Sequence, residues 1–194
     1  MMLFKGYDVE EYWTQRGKFY CEVEESKRKE KLDSGENLLL WTVSTQVFDN
    51  LLDFGCGYGK YLKVLSNQFR DKKMVGVDVS SSMLQKAKNY LKGTGVELRK
   101  IDGLTLPFED RSFDITLTVH VLIHNPPDRV DKVIKEIKRV TRKCSIHMES
   151  TVKGVTAKDY YCHDYERLFS INGGKVRLLS EYGKEGKLYM VNWH

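Results

Sequence analysis

Three aspartates, each placed just past an apolar run, carry the chemistry this sequence suggests. The first is Asp53, in Leu51-Leu52-Asp53-Phe54-Gly55-Cys56-Gly57-Tyr58-Gly59. Glycines there let the chain turn tightly and let a ligand approach the backbone. Their spacing is G-x-G-x-G, not the G-x-G-x-x-G of dinucleotide binding. A carboxylate two residues before the first glycine would repel a docked pyrophosphate and suits a ligand carrying an ammonium group. The plain alternative is an ordinary tight turn. The second acid is Asp78, in Val75-Gly76-Val77-Asp78, about 20 residues past the glycines, the distance of an acid that binds both ribose hydroxyls. Alone it reads equally well as a helix cap. The third is Asp102, before Gly103. It accepts from an exocyclic amine such as that of adenine, or simply forms an Asp-Gly turn.

Such residues act together only if a scaffold gathers them, and the hydrophobic pattern predicts one. Short apolar runs at 50–55, 74–78, 96–101, 113–120 and 144–150 read as strands. Helices are expected at 58–69, at 80–91 with Ser80 or Ser81 as N-cap, and at 129–140, where Val130, Val133, Ile134, Ile137 and Val140 share one face. No strong helix precedes the fourth strand. After a short helix at 160–169 and an Asn172-Gly173-Gly174 turn, strands at 175–182 and 187–193 form a hairpin. Alternating strand and helix predicts a three-layer, doubly wound α/β fold, each acid at the carboxyl edge of the sheet. The first fifty residues differ. Helices are expected at 9–16 and 36–48, the second with an apolar stripe of Leu39, Leu40, Val43 and Val47, and the charged segment 22–31 separates them. The organisation follows: an N-terminal helical lid over residues 1–49 and a ligand-binding core over 50–194.

The 194 residues suit one domain that needs neither disulfide nor metal. The net charge of +5 is mild, and bases alternate with acids, as in Lys27-Arg28-Lys29-Glu30-Lys31. Cys21, Cys56, Cys144 and Cys162 form no C-x-x-C pair and no zinc-spaced cluster, so no metal site is expected. With no leader and no membrane-length apolar run, a soluble cytoplasmic protein without a membrane partner is expected.

Together these features resemble the class I S-adenosylmethionine (SAM)-dependent methyltransferases, strongly over residues 50–150. The residues from Leu51 to Gly59 match the family's glycine motif, Asp78 its ribose-binding acid and Asp102 the acid that meets the adenine amine. Leu106-Pro107-Phe108 through Phe113-Asp114 resembles its lead into the fourth strand. The resemblance implies a Rossmann-like seven-stranded sheet of order 3-2-1-4-5-7-6 with strand 7 antiparallel, and SAM as cofactor. It implies that Asp53 holds the methionyl amine, that Gly55, Cys56 and Gly57 lie against the methionyl part, and that Val79, Met83 and Gly103 flank the adenine, with Ser82 or Leu104. Glu11 to Gly17 is similar to the N-terminal segment of small-molecule methyltransferases, often folded over the cofactor. Arg16 then meets the carboxylate while Tyr12 and Trp13 cover the site. A helix merely packed on the core is the competing reading.

A sulfonium methyl is already electrophilic, so the enzyme must chiefly align the acceptor and exclude water. A base serves only an acceptor that must lose a proton. His120 and His124, near the end of the fourth strand, are the candidates, though a lone histidine is more often a packed or solvent-facing side chain. His163 is a weaker contact candidate. Asn125-Pro126-Pro127-Asp128 lacks the aromatic residue of the Asn-Pro-Pro-aromatic motif and reads as a lead into a helix. The expected reaction is methyl transfer to an O or N nucleophile of a small-molecule acceptor. A protein or RNA acceptor is the second reading, and a SAM-binding regulator or partner subunit the third. A nucleotide-dependent oxidoreductase is disfavoured by Asp53 and the glycine spacing.

Overall fold

The computed structural model describes residues 9–27, 32–151, 160–183 and 185–193. Seven strands form one sheet in the order β3-β2-β1-β4-β5-β7-β6. They are β1 (Asn50–Phe54), β2 (Lys73–Asp78), β3 (Glu97–Lys100), β4 (Phe113–Val119), β5 (Thr141–Ser150), β6 (Gly174–Tyr182) and β7 (Gly186–Trp193). The first five pair in parallel, and β7 enters antiparallel between β5 and β6. This is the order and the Rossmann-like fold that the resemblance implied.

Helices α1 (Val9–Lys27), α2 (Ser34–Ser44), α3 (Lys60–Gln68), α4 (Ser81–Tyr90), α5 (Pro127–Val140) and α6 (Tyr165–Ile171) flank the sheet. Adjacent strand residues face opposite sides, so Leu51 and Leu52 serve two different cores. Leu51 meets Leu39, Val43, Leu62 and Ala87 on the α2–α3–α4 side. Leu52 meets the α5–α6 side, where Val130, Val133, Ile134, Ile137 and Val140 are all buried. Each contributes about 1.5–3 kcal/mol on removal from water. Coverage of both faces explains why β1, β2 and β4 read as nearly continuous apolar runs.

Several boundaries move. Helix α1 runs on through Lys27 because Glu and Lys are good helix formers, so the expected charged separator is helical as far as it is described; residues 28–31 lie outside the described residues. Helix α2 starts earlier and ends earlier than expected. Asp33 and Glu36 form a reciprocal capping box at its start. At its end the Ser44, Thr45 and Gln46 side chains bond the carbonyls of Trp41 and Thr42. Val47 therefore falls outside the helix and is 86% exposed rather than part of the stripe. The last helix begins at Tyr165, not 160, because the Asp164 side chain caps it by accepting from the Arg167 amide. β5 starts at Thr141, directly after α5, and β3 reaches β4 through residues 101–112 without a helix.

Packing and hydrogen bonds tie the N-terminal helices to this body. Helix α1 packs on α4, where Ser80 Oγ donates to the Trp13 carbonyl at 3.0 Å and Ser82 Oγ to the Thr14 carbonyl at 2.7 Å. Gly17 permits this approach, since a Cβ there would stand 2.5 Å from Ser82 Oγ. Helix α2 packs on β5, β6 and β7. Among the described residues, no helix is long and apolar enough to cross a membrane.

Candidate functional site

The sheet reverses its winding between β1 and β4, and a crevice opens beyond the carboxyl ends of those strands, as in other open α/β sheets. The turn after β1 forms its floor. The amides of Gly55 and Cys56 both donate to the Val77 carbonyl, at 2.8 and 3.0 Å, and the Gly57 amide donates to Asp78 Oδ2 at 2.8 Å. Gly55 and Gly57 have φ of 78° and 53°, a region that disfavours side chains. They differ in surroundings. A Cβ on Gly55 would strike Val121 Cγ2 at 2.4 Å, whereas a Cβ on Gly57 would meet nothing within 4 Å. At Gly57 the backbone faces open cavity.

That cavity holds about 510 Å³. Its walls include Asp53, Gly55, Cys56, Gly57, Asp78, Val79, Met83, Gly103, Trp13, Arg16, His120 and His124. Asp102, Tyr12, Ser82, Leu104 and His163 are not among the lining residues. Asp102 Oδ1 accepts from the amides of Leu104 and Thr105 at 2.7 Å, and its carbonyl accepts from Arg129. Those amides hold its carboxyl below the usual carboxylate range. Asp102 Oδ1 thus makes the bonds of an Asp-Gly turn. Ser82 likewise serves α1 rather than a ligand, and Leu104 packs against the α5-side core. His163 is buried, bonded to the Asn125 carbonyl at 2.8 Å, and is absent from the cavity lining.

The acids that do arrive differ electrostatically. Asp78 accepts two backbone amides, Gly57 on Oδ2 and Ser80 on Oδ1, both at 2.8 Å. Burial still raises its carboxyl above the ordinary range. Asp53 is 2% exposed, and its Oδ2 is buried with no hydrogen-bond partner. Burial first, and the Asp78 charge second, push its carboxyl up to about 7. An acceptor left in that state costs about 1–3 kcal/mol, more when charged. A hydrogen-bond donor placed in the cavity beside Asp53 would satisfy that oxygen.

The opposite wall was largely invisible to pattern reasoning. Glu36 accepts from Lys60 Nζ and from Tyr61 Oη, and all three line the cavity with Asp33, Met148, Tyr160 and Tyr182. Only the Asp33-to-Glu36 spacing, a capping-box signature, was there to be read. Tyr182 comes from β6, and its Oη is buried without a partner. His124 stands edge-on between Trp13 and Tyr160, at 4.7 and 4.8 Å. His120, with φ of 53°, bonds the Met148 carbonyl through its amide. Burial lowers its imidazole pKa, opposed by the charges of Asp33 and Glu36. A lowered pKa favours the free-base imidazole, the form a general base needs.

Comparison with known proteins agrees with this geometry. Residues 51–144 match the family model of a methyltransferase domain. The chain is 24% identical over 171 residues to a 24-methylenesterol C-methyltransferase 2 of Arabidopsis thaliana, covering 86% of this chain and 46% of that protein. It is 37% identical over 89 residues to a probable tRNA methyltransferase 9B of Mus musculus, covering 45% and 18% respectively. The chain thus spans less than half the length of these curated relatives. A magnesium protoporphyrin IX methyltransferase from Synechocystis PCC 6803, solved with bound SAM, shares the fold across all of both chains, with a TM-score of 0.72 and 16% identity.

Proposed function

We propose that this chain is a class I SAM-dependent methyltransferase and transfers the methyl group of SAM to an O or N nucleophile of a small-molecule acceptor. The observation that carries this is the buried, unpartnered Asp53 Oδ2 beside open backbone at Gly57. A diphosphate would be repelled there, while an amino-acid amine would satisfy it.

Bound SAM supplies an electrophilic methyl on a sulfonium. Asp53 takes its ammonium group, and the Gly55–Gly57 backbone accommodates the methionyl chain. Asp78 accepts from the ribose hydroxyls with the lone pairs that Gly57 and Ser80 leave over. Val79, Met83 and Gly103 form the adenine wall, joined by Ile101. Arg16 and Trp13, on α1 over the cavity, cover the methionyl end, so residues 1–49 act as the lid of a 50–194 core. His120 takes a proton from acceptors that must lose one, with His124 packed beside it between Trp13 and Tyr160. Alignment of acceptor and methyl supplies most of the rate, roughly 7–11 kcal/mol in well-oriented systems.

Two features support a small acceptor. The space left for it lies among the buried Glu36 and the half-buried Tyr61 and Tyr182, and the α1 helix covers the cavity's approach. The likeness to a tRNA methyltransferase and the net charge of +5 favour a second reading, an RNA acceptor. Calorimetry with S-adenosylhomocysteine (SAH) and with NAD is the first test. Tight SAH binding without NAD binding is expected, and the reverse would sink the proposal. Transfer of labelled methyl to a metabolite panel or to total tRNA then separates the acceptors.

A further inference from the structure

The loop that carries His120 and His124 into the cavity rests on a carboxylate that the cavity itself does not expose. Glu149, near the end of β5, is fully buried. Its Oε1 accepts from Thr118 Oγ1 at 2.8 Å and from the amides of Val121 and Leu122 at 3.2 Å; its Oε2 accepts from the amide of Ile123 at 3.3 Å. Those amides open the 3-10 turn Leu122–His124, whose first N–H groups have no partner of their own. Among the described residues, no ion pair to Glu149 offsets its charge. We infer that Glu149 is a positioning residue for methyl transfer: its carboxylate gathers three successive amides and so fixes the loop that presents His120 and His124 to the acceptor. This rests on the methyltransferase reading for its purpose, though not for its chemistry.

The wiring behind Glu149 makes its charge state readable. An ionised carboxylate only accepts, so Thr118 must donate to it and therefore accepts from His147 Nδ1, at 2.8 Å. His147 Nε2 is then an acceptor for Ser145 Oγ, at 2.6 Å, and Ser145 accepts from Trp193 Nε1 at 2.9 Å. Every hydrogen in this buried chain has one consistent direction, and His147 carries its proton on Nδ1. Adding one proton to Glu149 lets the order reverse as far as Ser145, since the Trp193 indole only donates. The carboxylic acid donates to Thr118, Thr118 donates to His147 Nδ1, and the imidazole carries its proton on Nε2, where Ser145 accepts it and no longer donates to His147. His147 stays neutral in both states, since burial lowers its pKa to about 3. The loop amides lose a charged acceptor in the second state and weaken.

The groups around Glu149 leave this switch to Glu149 itself. Thr118 and His147 face it from β4 and β5. Lys187, cross-strand on β7, is spent on Glu181. On the α6 side Tyr165 gives its hydroxyl to the Ser150 carbonyl at 3.4 Å, and Tyr182 approaches from β6. From the cavity side come His120 and His124, with Asp33 and Glu36 of α2 beyond them. Burial raises the Glu149 carboxyl to about 7 against the pull of the Leu122, Thr118, Val121 and Ile123 donors. The two states therefore exchange near neutral pH.

Nitrogen-15 NMR of the full chain between pH 5 and pH 9 tests this. The amides of Val121, Leu122 and Ile123 are expected to titrate with one shared midpoint near 7. The His147 ring nitrogens should exchange tautomer at that midpoint, and the Trp13 indole signal should follow, because Trp13 packs edge-on against His124. All three responses should vanish in Glu149→Gln. In Thr118→Val the amides should still titrate while His147 does not, and Thr118→Ser should restore the coupling. If Glu149→Gln fails to fold, the Thr118 pair and the wild-type titration decide the matter alone. Loop amides that ignore pH, or that titrate unchanged in Glu149→Gln, overturn the assignment. Amides that titrate while the Trp13 indole does not overturn the positioning role. A failed methyltransferase reading shows separately, as wild-type protein that does not bind SAH while its loop amides still titrate.

Discussion

If Asp53 receives the ammonium group of SAM, cofactor affinity must depend on pH in a calculable way. Ligand-free, the Asp53 carboxyl is raised to about 7 by burial and by Asp78. The ammonium pairs only with the carboxylate, so binding at lower pH must first expel a proton. At pH 7 about half the molecules are ionised, and at pH 5 about one in a hundred. The apparent affinity for SAH should therefore fall about fifty-fold across that interval, roughly 2 kcal/mol. Calorimetry in buffers of differing ionisation enthalpy measures both the slope and the proton released on binding. Asp53→Asn removes the titration and should give a nearly flat profile at the affinity of the protonated protein. The stability of the free protein carries the opposite sign. The raised folded pKa means the native state holds a proton that the unfolded chain has lost, so stability falls as pH rises from about 4 to about 7. SAH should abolish that fall. The reasoning is refuted by equal wild-type affinity at both pH values, or by an Asp53→Asn profile that keeps the full slope.

Other variants separate ligand contact from folding. Gly57→Val should abolish SAH binding while lowering stability by only about 1–2 kcal/mol, the cost of a side chain at positive φ; Gly55→Ala, which collides with Val121, should destabilise more, and denaturant midpoints distinguish them. Asp78→Ala should weaken SAH binding at least tenfold and, by freeing the Gly57 and Ser80 amides, lower the melting temperature by several degrees. Gly17→Val should undock α1 from Ser82, seen as faster proteolysis within residues 9–27, with the sheet intact by circular dichroism. Asp114 is lowered to about 2: burial raises it, but the Asp49 amide, Arg142, Lys143 and the Asn50 amide together outweigh that. Its contribution is present above about pH 4 and is lost as pH falls through 2. Asp114→Asn should flatten that acid limb in a denaturation series.

How far the sequence reached differs from residue to residue. Gly55, Gly57 and Asp53 were legible because a tight turn beside an acid is a local demand, met within a few adjacent residues. The same held for the faces of α5, where a 3.6-residue period survives in the sequence whatever it packs against. Asp102 shows the limit of that reasoning. Its type and place fitted both an adenine contact and a turn, and spacing alone did not show that Oδ1 accepts from the Leu104 and Thr105 amides. Val47 fitted a stripe whose helix stops three residues too soon.

The long-range polar contacts were settled elsewhere. Nothing in the spacing of Thr118, Ser145, His147, Glu149 and Trp193 marks them as one chain of hydrogen bonds, since they belong to three strands whose register the sequence does not write down. Glu36 meets Lys60 and Tyr61, and Tyr182 reaches the cavity, only because α2 packs against the sheet and β6 pairs at its edge. Local geometry is encoded by neighbours along the chain, so the glycine turn and the layered fold could be read from sequence. The shape of the cavity's opposite wall and the charge beneath its loop depend on distances between segments, and those exist only once the sheet has closed its order.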